Sequence, residues 1–151
     1  MRKQTKRKVW KLIDPIRHAI LGAGITQEHL LDKLRMTELA SLEAMTKGYG
    51  TVQDWQELTD MMNISEVMAI EGIGPEVLPY CKEAQNALEQ AALRYQTTMR
   101  MGLSGAGINA LREVFEYHDL QRRSIPRSLY EKMIIKTKQR IQSKAKEVVE
   151  I

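Results

Sequence analysis

The feature that most constrains this chain is a run of apolar residues at helical spacing within residues 75–100. Val77, Cys81, Ala84, Leu88, Ala91, Tyr95 and Met99 recur every three or four positions. That is the apolar stripe of an amphipathic helix with a near-heptad period. Ala87 and Ala92 widen the stripe with small side chains, which lets a neighbouring helix come close. Pro75 suits the first helical position, and Gly102 the position just past the end. Pro79 is the one discord, because its ring clashes with the carbonyl of Pro75 in a regular helix. The regular helix is therefore expected to begin at Leu78 or Pro79, after a turn. At about 1.5 Å per residue it spans roughly 32–38 Å, the width of a small domain. It is expected as the central column of an all-helical fold.

A chain of 151 residues suits one domain and is long enough to bury a core without staples. Aromatics make up 5% of it and there are nine methionines. A core of Leu, Ile, Met and Ala favours helix-on-helix packing over a sandwich. The single cysteine, Cys81, lies on the apolar stripe and reads as a small buried residue in a reducing compartment. The first apolar run, residues 19–25, is too short for a signal peptide or a membrane span. A cytoplasmic protein without a membrane segment is expected.

Taken in order, residues 1–8 are almost all basic or amide and are expected as a flexible arm before a single helical domain at 9–151. Asp14 and Pro15 open a short helix at 15–21. Thr26 opens a second, carrying Leu31, Leu34, Leu39, Leu42 and Met45, which ends before Gly48 as one helix or two. Thr51, with Asp54 three residues on, caps a third. There Trp55, Leu58, Met62, Ser65 and Ala69 line one side, with Met61, Ile64 and Met68 flanking, so a wide buried face is expected. After the 75–100 helix, Ser104 opens another with Ile108, Leu111, Phe115 and His118 on its seam. Ser124 and Pro126 open the last, whose seam is Tyr130, Ile134, Thr137, Ile141 and Val148. The fold class is therefore an all-α single-domain bundle of five to six helices with a basic N-terminal arm.

Motifs that carry chemistry are scarce. The glycine-rich turns follow no strand and lead into no Gly-Lys-Ser/Thr, so they read as helix punctuation. Three histidines and one cysteine make no metal-ligand spacing. Glu113, Glu116, His118 and Asp119 sit close together, but flanking Arg112 and Arg122 suggest ordinary helix ion pairs. Residues 57–65 resemble the first helix and turn of a helix-turn-helix. The would-be recognition helix carries Glu66 and Glu71 and no base-reading side chain, so continuous helix is the better reading. No enzyme, cofactor or metal is expected.

Charge placement is the remaining signal. The net charge of +4 conceals a segregation into basic ends and an acidic middle. Arg2, Lys3, Lys6, Arg7, Lys8 and Lys11 come with no acid among them. Near the other end, Lys132, Lys136 and Arg140 stand at i, i+4 and i+8, joined by Arg122, Arg123 and Arg127. Such sets suit a phosphate backbone. The same sets also suit a chain whose ends neutralise its own acidic middle. The expected function is a small non-enzymatic nucleic-acid-binding accessory or regulatory protein that uses these twelve residues. The alternative is a protein–protein interaction module.

The start Arg2-Lys3-Gln4-Thr5-Lys6-Arg7-Lys8-Val9-Trp10, the segment Gly50-Thr51-Val52-Gln53-Asp54-Trp55, and residues 95–105 with their glycine-serine-glycine turn give the chain its overall layout. That layout resembles a group of small helical proteins carried by proteobacterial prophages. The resemblance covers most of the chain. It implies a phage or prophage setting and no defined activity, and in that setting the interaction-module alternative is a phage-borne inhibitor of a host protein.

Overall fold

The computed structural model describes residues 28–144 together with the pairs Val9–Trp10 and Val148–Val149. The expected arm at 1–8, the expected helix at 15–21 and the Thr26 cap lie outside the described residues. Among the described residues five α-helices form: α1 (Glu28–Lys47), α2 (Val52–Ile70), α3 (Leu78–Thr98), α4 (Gly105–Arg123) and α5 (Arg127–Ser143). A 3-10 turn, Pro75–Val77, precedes α3. The fold is an all-α bundle. Its only described extended pieces are β1 (Val9–Trp10) and β2 (Val148–Val149), which pair in parallel. Val148, expected on the seam of the last helix, therefore lies beyond the end of α5.

Local chemistry sets the helix ends. The Thr51 hydroxyl accepts from the Asp54 N–H, and the Thr51 N–H donates to the Asp54 carboxylate at 2.8 Å, a reciprocal capping box. The Ser104 hydroxyl likewise accepts from the Gly107 N–H. Gly48, at φ +80°, terminates α1 as a single helix. The Pro75 and Pro79 rings are accommodated as the sequence implies, by a turn and then a regular helix from Leu78. Ser124, expected to open the last helix, instead closes α4.

The column at the centre is α2, not the 75–100 helix. Every residue of α2 from Trp55 to Ala69 is buried, polar ones included. Trp55, Leu58, Met61 and Met62 join one apolar cluster with Leu42, Leu88 and Phe115. Ile64, Val67 and Met68 join a second with Leu34, Tyr130 and Ile134. On α3, by contrast, Cys81, Ala84, Leu88 and Ala91 are buried but Lys82, Glu83 and Leu93 are exposed. A clean apolar stripe marks one-sided burial, and one-sided burial places a helix at the edge of the core.

The small residues act as the sequence implies. A Cβ on Gly107 would stand 2.7 Å from the Cβ of Ala87, so α3 and α4 meet closely at this point. The Trp55 indole donates to the Leu88 carbonyl at 2.8 Å, fixing α2 against α3. Gln121 links α4 to two other segments. It donates to the Ile73 carbonyl at 2.8 Å and accepts from the Ser65 hydroxyl at 2.8 Å.

Met99 closes α3 in the left-handed region, at φ 58°, where its N–H donates to the Tyr95 carbonyl. A side chain there is strained, and glycine is not. Met99→Gly should stabilise the fold by about 0.5–1 kcal/mol, because the exposed methionine gives up little burial. Thermal denaturation is expected to show a rise of about 1–4 °C.

Candidate functional site

The C-terminal candidates come from the end of α4 and from α5. Arg122 and Arg123 occupy the last turn of α4. Arg127 begins α5, which then carries Lys132, Lys136 and Arg140. The structure brings Arg122, Arg123 and Arg127 together around one pocket of about 340 Å³, also lined by Glu28, Leu31 and Tyr130. The ridge of Lys132, Lys136 and Arg140 lies apart from it.

Most of these cations are already engaged. The Arg122 side chain is fully buried and grips Glu38 of α1 with both terminal nitrogens, at 2.8 and 2.9 Å. Its Nε and Nη2 also donate to Asp119. Asp119 is shared further, accepting from Arg35 at 2.9 Å and from Arg123 at 3.1 Å. Arg123 reaches Asp32 at 2.7 Å, and Arg127 pairs with Glu131 at 2.8 Å. Lys136 pairs with Glu71 at 2.9 Å, and Arg140 pairs with Glu66, both on or just after α2. Lys132 is exposed and makes no ion pair with a described residue. Arg122 is therefore corrected as a contact residue: it is a buried structural cation with its donors turned inward. Arg2, Lys3, Lys6, Arg7, Lys8 and Lys11 lie outside the described residues.

Proton equilibria follow from these pairs. For Arg122, burial works against the charged form. The Glu38 carboxylate outweighs it, helped by Tyr130 and Asp119, and raises the guanidinium above its ordinary value. For Asp119, burial pushes the carboxyl up, but Arg122 and then Arg123 overcome that and hold it below 3.8, its ordinary value. Burial, then the Glu66 charge, pushes the Cys81 thiol up to about 12, so it is protonated at neutral pH.

The other motifs resolve structurally. Residues 57–65 lie inside continuous α2 and are buried, so no helix-turn-helix is present there. His118 and Asp119 are buried, while Glu113 and Glu116 are exposed, so the four do not converge on one site. The His118 Nδ1 faces the Gln121 carboxamide oxygen at 3.2 Å. Among the described residues, no group of His, Cys, Asp and Glu is placed to hold a metal ion, and no helix is long and apolar enough to cross a membrane.

Glu38 was missed in the sequence, although the signal was present. It stands with Leu34, Leu42 and Met45 at helical spacing, so it sits on an apolar stripe. Arg122 continues the Leu111, Phe115 and His118 seam in the same way. An acid on one stripe and a base on another is the pattern of a buried pair.

No protein-family model, curated protein or solved structure matches the chain.

Removing one member of the buried pair should cost far more than removing both. Glu38→Gln leaves the buried Arg122 charge with Asp119 as its remaining partner and its bidentate carboxylate gone, and chemical denaturation should show a loss of roughly 3 kcal/mol. The double change Glu38→Met with Arg122→Met should cost clearly less than the sum of the singles. The Asp119 carboxylate is favoured in the folded state. Its contribution to stability is complete above pH 4 or so and is lost as pH falls through its depressed folded-state value. Denaturation midpoints measured from pH 6 down to 2 should therefore fall at the acid end, and Asp119→Asn should flatten that fall.

Proposed function

We propose that the chain is a non-enzymatic interaction protein of phage or prophage setting that occupies a surface of a host protein through its α1–α4 face. The carrying observation is three exposed apolar side chains on the two helices of that face. Met36 and Leu39 on α1 are 65% and 43% exposed, and Leu120 on α4 is 66% exposed. Ion pairs between Arg123 and Asp32 and between Arg35 and Glu116 cross the same seam. A groove of about 330 Å³ continues it between Leu39, Leu42, Glu43 and Arg112. Apolar side chains ringed by polar and charged groups suit a protein interface, where the centre is desolvated and the rim stays wet.

Nucleic-acid binding is the second reading. Its support is the acid-free run Arg2, Lys3, Lys6, Arg7, Lys8 and Lys11, with exposed Lys132 as an addition. The other C-terminal cations lend it little, because carboxylates of the chain already hold them.

Capture from a lysate of the source cell distinguishes the two. Met36→Glu with Leu120→Glu should abolish capture of the partner while the melting temperature stays unchanged. Leu93→Glu, an exposed apolar position on α3, should leave capture intact. Equal capture by all three proteins removes the α1–α4 face from consideration. For the second reading, gel shifts at several salt concentrations should show log affinity falling by about 0.9 per phosphate contact on duplex DNA. Deleting residues 1–8 should flatten that slope. Lys136→Glu with Arg140→Glu should leave the slope nearly unchanged and lower stability instead, by loss of the pairs to Glu71 and Glu66.

A further inference from the structure

The loop between α1 and α2 meets the loop between α3 and α4 at one end of the bundle. Gly50 and Met101 form an antiparallel bridge there, and the Leu103 N–H donates to the Met45 carbonyl at 3.1 Å. Met45 and Met101 are buried, but Tyr49 and Met99 beside the bridge are 62% and 70% exposed. Met99 is also the one described residue other than glycine with a positive φ, at a helix end where glycine is usual. Neither its backbone nor its exposed side chain helps the fold, and an outlier of that kind points to a use other than stability.

Charge adds an independent observation. Residues 90–112 are the longest stretch of the chain without Asp or Glu, and they include Arg94 and Arg100. Both arginines are exposed, and neither pairs with a carboxylate of a described residue. Arg94 donates to the Gly102 carbonyl at 2.9 Å, which holds its guanidinium at the loop. The acids that flank this end in the sequence are occupied or turned inward. Lys47 holds Glu43, the Thr51 cap and the Ser41 hydroxyl hold Asp54, and Glu89 has a buried carboxylate oxygen.

We propose that this end of the bundle is a contact surface for an acidic segment of another protein. Tyr49 and Met99 form its apolar centre, and Arg94 and Arg100 meet the segment's carboxylates. Tyr, Met and Arg are the side chains enriched in protein interfaces. A guanidinium takes a carboxylate through two parallel N–H bonds, and no described carboxylate of this chain competes for these two. A phosphate backbone would use the arginines but would leave Met99 and its strained backbone without a role, so a protein is the better occupant. Met45 and Met101 anchor the two loops from within, so the surface is formed before a partner arrives. It uses none of Met36, Leu39 and Leu120 and does not rest on the reading of the α1–α4 face.

Site-specific photocrosslinking in the source cell tests the surface residue by residue. The photoreactive amino acid p-benzoylphenylalanine replaces Tyr49 in the full chain, or exposed Lys82 on α3 as a control. Irradiation should give a protein adduct from position 49 that position 82 does not give. Mass spectrometry should place the link within a segment rich in Asp and Glu. Arg100→Glu in the position-49 chain should reduce that adduct about tenfold, as for the loss of one dominant interface contact. Met99→Gly should reduce it severalfold while raising the melting temperature, so unfolding cannot account for the loss. The proposal is overturned if position 49 gives no more adduct than position 82, or if either variant leaves the adduct unchanged. A linked segment without acidic residues, a nucleic acid or a second copy of this chain overturns it as well.

Discussion

The interaction on which the rest of this structure depends is the grip of Arg122 on Glu38. It joins positions 84 residues apart, fastening the middle of α1 to the end of α4. Neither charge is exposed to solvent. Burying them costs several kcal/mol per ion, and only a close, fully hydrogen-bonded geometry offsets that. The geometry here meets the condition on the guanidinium side, with Glu38 taken by both terminal nitrogens and Asp119 by the remaining donors. Arg35 and Arg123 then attach to Asp119 from either side. Arg35 also lies over the Phe115 ring at 4.8 Å. One buried pair therefore fixes the register of α1 on α4 and sets the position of the more exposed ionic contacts around it.

Around that clamp the fold is arranged as two apolar clusters that share α2. A helix used on all sides has no solvent face on which to place its polar residues. Ser65 is therefore satisfied internally by Gln121, and the Thr59 hydroxyl by the Trp55 carbonyl. Glu66 meets Arg140, and Glu71 just beyond the helix meets Lys136. The acidic character of α2 and the basic character of α5 are thus two sides of one contact. Charge segregation along the sequence is, for this part of the chain, largely a device for joining helices.

The same economy bears on function. A cation held by a carboxylate of its own chain is a poor phosphate ligand, since binding must first break the pair. What stays available on the α1–α4 face is of another kind, the exposed apolar side chains Met36, Leu39 and Leu120.

The sequence by itself determined where helices start and stop. Thr51 with Asp54, Ser104 with Gly107, Gly48 and the Pro75–Pro79 pair act over one turn of chain, so they are legible without knowing what packs on what. It also determined which side of α3 and α5 is buried, because a 3.6-residue period reports one-sided burial directly. The tertiary structure decided which helix is central, since a helix enclosed on all sides loses the clean stripe that draws the eye to α3. It also decided which charges are free. Glu38 and Arg122 each sit on an apolar stripe, yet nothing in either local pattern says that the other will meet it. That choice belongs to the packing of α1 on α4, a contact between residues far apart in the chain, and it turns a basic cluster in the sequence into a structural clamp in the fold.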